Sequence, residues 1–173
     1  HWHDDELFAV ISRFGFLGIS HNLDAVSVKE AMSYDMLWDA KHQDKVGHFD
    51  WHLPNLGVLS LRDGNAQPYD ISGGAWDKLQ ETTLSLKPQV RGFYDYGGVL
   101  SSLKSGEVTV MPGIGEWITG VLRRDGANVT TTIPEQGGIQ FTESFSIGRG
   151  SRKAELARKF IQHASSPAGQ YNL

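Results

Sequence analysis

Strand-like and helix-like periodicity alternate along this chain, and that alternation limits its folds more than any other feature. Each strand and each helix has one apolar face to bury, so alternating elements call for a sheet covered by helices. Phe14 to Asn22 reads as an apolar strand whose glycines permit close backbone approach. Leu23 to Ala40 is helix-rich, with Met36, Leu37 and Trp38 in a short turn. Val46 to Trp51 is a second strand, and Pro54 can open a helix through Leu61 that Asp63-Gly64 closes. From Asp70 to Leu86, Trp76, Leu79, Thr83 and Leu86 recur at helical steps, with Ser72 as the cap and Lys87-Pro88 as the stop. Val90–Tyr94 is a strand, Tyr96–Ser105 a helix ended by Gly106, and Glu107–Met111 a strand. Pro112 to Gly115 reads as a loop, Glu116–Asp125 as a helix closed by Gly126, and Asn128–Ile133 as a strand. Arg152–His163 is a last helix. The expectation is a soluble α/β fold with a mixed, mostly parallel sheet flanked by helices.

One stretch departs from simple alternation. In Ile133 to Ile147, a proline and two glycines break the chain, and then Ile139, Phe141, Glu143, Phe145 and Ile147 fall on one strand face. A carboxylate on an otherwise apolar face is costly if buried without a partner. Glu143 is therefore expected at a strand end or facing a ligand.

Composition removes several functional classes. There is no cysteine, which excludes disulfides, thiolate metal sites and cysteine nucleophiles. A net charge of −4 with scattered Lys and Arg argues against a nucleic-acid footprint. No apolar run approaches the roughly 20 residues that span a bilayer. Gly113-Ile114-Gly115 lacks both the third glycine of a dinucleotide fingerprint and a Walker lysine. The seven histidines include no His-x-x-x-His pair, and neither Ser144 nor Ser146 has a motif-level base. No cofactor, metal site or catalytic residue is expected.

Ligands of open α/β sheets sit beyond the carboxyl ends of the strands. Two junctions of that kind pair carboxylates with aromatics: Asp50-Trp51, and Gly115-Glu116-Trp117. Phe141 and Glu143 repeat the pairing on the stretch described above. Such a set suits a cationic or amine ligand through cation–π contacts and charge-assisted hydrogen bonds. Trp51 and Trp117 taken singly are equally well explained as core residues.

Several motifs in order resemble one family. They are Phe16-Leu17-Gly18-Ile19-Ser20-His21-Asn22, Met36-Leu37-Trp38-Asp39 with Lys45-Val46, Phe49-Asp50-Trp51, and Ser105-Gly106-Glu107-Val108. Pro134-Glu135-Gln136-Gly137-Gly138 with Glu143-Ser144, and the late Glu155 to Ile161 with Ser166-Pro167, complete the set. Together they resemble the bacterial extracellular solute-binding proteins of ABC importers, in the spermidine/putrescine-binding branch. The resemblance implies a type II periplasmic-binding fold of two α/β lobes that close on a ligand by a hinge motion. It also implies that this chain holds mainly the second lobe: residues 1–21 as a remnant of the first lobe with a crossing strand, 22–133 as the second lobe, and 134–173 as the return crossing and late helix.

By the same resemblance, the chain captures a small, amine-containing solute and delivers it to ABC permease subunits, in the periplasm or lipid-anchored outside a Gram-positive cell. Glu143 would pair with a ligand amine, and Phe141 and Trp51 would stack on it. Trp51 and Pro54 stand where polyamine binders place two acids, which argues against a long polyamine. The apolar face of the late helix, Leu156, Phe160 and Ile161, is expected to be covered by a second chain or folded back. The alternative function is an effector-sensing domain of a regulator or chemoreceptor on the same fold. No acid–base dyad or nucleophile motif supports an enzyme.

Overall fold

The structure is a computed structural model and describes residues 2–171. The expectations made for residues 1, 172 and 173 lie outside the described residues. The chain divides into two compact units, Phe16–Ile139 in one, and the residues up to Gly15 with those from Gln140 onward in the other.

The strands are β1 (Trp2–His3), β2 (Glu6–Leu7), β3 (Val10–Asn22), β4 (Val46–Phe49), β5 (Val90–Tyr94), β6 (Val110–Gly115), β7 (Val129–Thr132) and β8 (Ile139–Phe145). The α-helices are α1 (His52–Arg62), α2 (Gly74–Ser85), α3 (Tyr96–Ser105), α4 (Glu116–Arg124), α5 (Ala154–Ala164) and α6 (Pro167–Tyr171).

In the larger unit the sheet order is β5-β4-β6-β3-β7. β4 pairs in parallel with β5 and with β6, whereas β3 is antiparallel to both β6 and β7. Among these five strands, β4, β5, β6 and β7 thus point one way and β3 the other. The sheet is mixed and mostly parallel, as expected of parallel strands linked by helical crossovers. One buried cluster joins Val99 and Leu103 of α3, Met111 and Ile114 of β6, and Ile118 and Leu122 of α4. Val58 and Leu59 of α1, with Leu79 of α2 and Leu86, are buried as well.

Three local readings need correction. The segment from Pro112 to Gly115 is strand, fully buried within β6. Its glycines serve packing there: a Cβ on Gly115 would stand 2.6 Å from the Phe16 carbonyl oxygen of β3. Residues Leu23 to Ala40 form short 3-10 turns, at Glu30–Met32 and Tyr34–Trp38, in place of a regular helix. Finally, α2 starts at Gly74, with Gly73 at φ 53° as its cap and no side-chain cap from Ser72. Its buried stripe is Leu79, Thr82 and then Leu86, while Trp76 lies exposed.

The stretch before β8 is tied to those 3-10 turns. Tyr34, fully buried, donates its hydroxyl to the Gly137 carbonyl at 3.0 Å, and burial pushes its pKa well above the usual phenol range. Gln136 accepts from the Tyr34 amide and donates to Ser33 Oγ. A buried histidine is held with equal definition. His21 Nδ1 lies 3.0 Å from the Val26 carbonyl, so it must donate there, and Nε2 accepts from Thr132 Oγ1 at 3.0 Å.

The smaller unit contains the β1–β2 antiparallel pair, the first part of β3 with β8, and helices α5 and α6. Along β8 the expected alternation is present: Ile139 is buried, Phe141 and Phe145 half-buried, and the residues between them exposed.

Candidate functional site

β4, β5 and β6 are parallel neighbours, so their carboxyl ends emerge on the same edge of the sheet. Each end delivers an acid followed by an aromatic. After β4 come Asp50-Trp51, after β5 Asp95-Tyr96, and after β6 Glu116-Trp117. The aromatic rings form a connected group. Phe49 meets Trp51 edge-on at 6.4 Å and Trp117 at 6.5 Å, and Tyr96 stacks on Trp117 at 5.7 Å with 15° between planes. Trp51 and Tyr96 are about half exposed, so this is an accessible aromatic surface rather than core.

The three carboxylates are open to chemistry. Among the described residues, Asp50, Asp95 and Glu116 have no Lys, Arg or His partner. Asp95 uses one oxygen to cap α3, accepting from the Gly98 amide at 2.7 Å. Glu116 occupies the first turn of α4, where the helix dipole favours a negative charge. Unpaired carboxylates beside exposed ring faces attract a cation or an amine and repel an anion.

Asn55 holds the β4–α1 junction in place. Its amide nitrogen donates to the carbonyls of Phe49 and Trp51, at 2.8 and 3.0 Å. Its Oδ1 is then the acceptor for His48 Nδ1 at 2.9 Å, which fixes His48 as the Nδ1–H tautomer. Burial pushes the His48 pKa down and keeps the ring neutral. Gly113, at φ 73°, leaves room for this arrangement, since a Cβ there would lie 3.1 Å from Asn55 Oδ1.

Asp50, Trp51, Glu116 and Trp117 therefore come together with one another. Gly115 lies beneath them, buried in β6. Phe141 and Glu143 lie on β8, in the other unit. There the Glu143 carboxylate takes a two-pronged hydrogen bond from Arg13, with Nε to Oε2 at 2.7 Å and Nη2 to Oε1 at 3.0 Å. That arginine resolves the oddity of an acid on an apolar face, because the position is exposed and paired. Sequence reading missed Asp95, Tyr96 and Asn55. The first two form the same acid–aromatic dipeptide as the other junctions, and that repetition was the available clue. Nothing local marks Asn55. Among the described residues, no group of three or more His, Asp or Glu converges as a metal site.

Solved structures show what the chain is similar to. A putative spermidine/putrescine ABC transporter protein from Listeria monocytogenes matches with TM-score 0.83 at 16% identity, covering 96% of this chain and 51% of that one. The spermidine/putrescine ABC transporter substrate-binding protein of Streptococcus pneumoniae matches with TM-score 0.79 at 16% identity, covering 95% and 50%. The periplasmic binding protein AfuA of Actinobacillus pleuropneumoniae, solved with fructose-6-phosphate, matches with TM-score 0.69 at 19% identity, covering 94% and 50%. The chain spans about half the length of each, and at these identities the likeness shows the fold alone. No curated protein sequence matches it. The family model described as bacterial extracellular solute-binding protein matches residues 1–173, and the chain belongs to that family.

Proposed function

We propose that this chain is the principal ligand-holding part of a solute-binding protein that captures a small amine-bearing solute and hands it to an ABC permease. The carrying observation is the three unpaired carboxylates, Asp50, Asp95 and Glu116, each followed by an aromatic at the end of a parallel strand. An ammonium gains from both groups at once, by charge and by the ring face. The AfuA structure shows that the same fold takes a sugar phosphate, so ligand class must come from the site and not from the fold. Three uncompensated carboxylates disfavour a phosphate. The family description supports a place outside the cytoplasmic membrane, and among the described residues no helix is long and apolar enough to cross a membrane.

Glu143 would meet a ligand amine only by giving up the Arg13 guanidinium, so its part in binding is a separate question. The test is calorimetric titration of the full-length protein with putrescine, 4-aminobutyrate and fructose-6-phosphate. An amine should bind with the sugar phosphate silent, and Trp117→Ala should weaken the amine about tenfold, the scale of one partly desolvated cation–π contact. Binding of fructose-6-phosphate in preference to either amine would overturn the reading. So would amine affinity unchanged in both Trp51→Ala and Trp117→Ala. Glu143→Gln in the same assay decides its own role: unchanged affinity assigns the residue to Arg13 alone.

A further inference from the structure

The aromatic rings at the strand ends of the larger unit meet at steep angles. Phe49 stands at 87° to Trp51 and at 67° to Trp117, while Tyr96 lies stacked on Trp117. Rings arranged in this way present faces in more than one direction, so a rounded head can touch several at once. Phe49 and Trp117 pack against the buried cluster of α3, β6 and α4, and Asn55 ties the carbonyls of Phe49 and Trp51 together. The walls are thus built before a ligand arrives, which lowers the cost of binding. Building on the amine function above, we propose that the cationic head held here is a quaternary ammonium of the trimethylammonium class.

A primary ammonium is strongly hydrated and must find hydrogen-bond acceptors that repay the water it loses. Asp50, Asp95 and Glu116 are all exposed, and ion pairs in such surroundings gain little. Asp95 has also committed one oxygen to the Gly98 amide. A quaternary ammonium has no N–H to satisfy, spreads its charge over its methyl groups, and is drawn to ring faces. The three carboxylates then act on it through space as counter-charges, with no direct hydrogen bond required. Each methyl pressed against a ring adds roughly fourfold in affinity as buried apolar surface. Charge and methyl groups are both needed: a neutral head of the same shape gains nothing from the acids.

The experiment is calorimetric titration of the full-length protein with choline, ethanolamine and 3,3-dimethyl-1-butanol. Ethanolamine is choline without its methyls, and the alcohol is choline without its charge. Choline should bind about tenfold tighter than either, or more. Tyr96→Ala, at a half-exposed position opening α3, should weaken choline about tenfold and ethanolamine much less. Tyr96→Phe keeps the ring and should keep choline affinity. Asp95→Asn preserves a capping oxygen for α3 and should weaken both cations alike. Ethanolamine or putrescine binding as tightly as choline would overturn the proposal and leave the amine function standing. So would an equal loss of both cations in Tyr96→Ala. The neutral alcohol matching choline, or silence of choline, ethanolamine and putrescine together, would overturn the proposal and the amine function with it.

Discussion

Asn55 joins His48 to the backbone of Phe49 and Trp51 through three hydrogen bonds, and all of them are lost in Asn55→Ala. The substitution strands a buried His48 N–H and leaves two carbonyls to find other partners. We expect a loss of about 2–3 kcal/mol, the cost of leaving buried polar groups unsatisfied, read from urea denaturation. Amine affinity should fall as well, because Trp51 loses its anchor. The buried histidines set a pH dependence of known sign. His21 and His48 both have pKa values below their ordinary 6.5, with burial the largest cause. Below about pH 6.5 the unfolded chain takes up protons that the folded chain refuses, so stability is full above that value and falls as pH drops. The urea midpoint should therefore be lower at pH 5.5 than at pH 8. A midpoint constant across that range would contradict the buried neutral state of both rings.

At the scale of elements, β6 and β3 lie closer than side chains allow. Gly115 stands opposite Leu17 in the ladder, with the Phe16 carbonyl oxygen 2.6 Å from where its Cβ would be. Gly115→Ala forces the strands apart or bends β6, and overpacking of this kind costs about 1–3 kcal/mol. Because Glu116 and Trp117 follow directly, the same change should weaken amine binding beyond its effect on stability. Thermal unfolding and titration of the one variant measure both. The helix α2 shows a different control: its start is set by the left-handed backbone of Gly73, which overrides Ser72 as a capping residue.

At the scale of the molecule, α5 leaves a surface that a solvated protein does not favour. Leu156 is 63% and Phe160 60% exposed, and Phe160 meets Phe145 edge-on at 5.8 Å. Ala154, Ala157, Ile161 and Ala164 form the stripe turned inward. Of the expected face, Leu156 and Phe160 are thus exposed and Ile161 is turned inward. Exposed apolar groups of this size drive association, so the 173-residue chain should self-associate, with Leu156→Glu/Phe160→Lys shifting it towards monomer in sedimentation. A monodisperse parent chain would show that the face needs no cover.

The sequence by itself determined the α/β class, the ends of β5 and α3, and the identity of two of the three acid–aromatic junctions. These follow from local causes: apolar periodicity, turn residues and the glycine that ends α3. Only the tertiary structure decided that Pro112 to Gly115 is strand, because its backbone partners on β3 lie far away in sequence. It also decided that Asp95-Tyr96 joins the other two junctions, since parallel pairing aligns strand ends that sequence keeps apart. The pairing of Glu143 with Arg13, across a separation of 130 residues, was equally out of reach. Local pattern fixes which face of an element is apolar, whereas the partner that meets each charge is set by how distant strands are brought together.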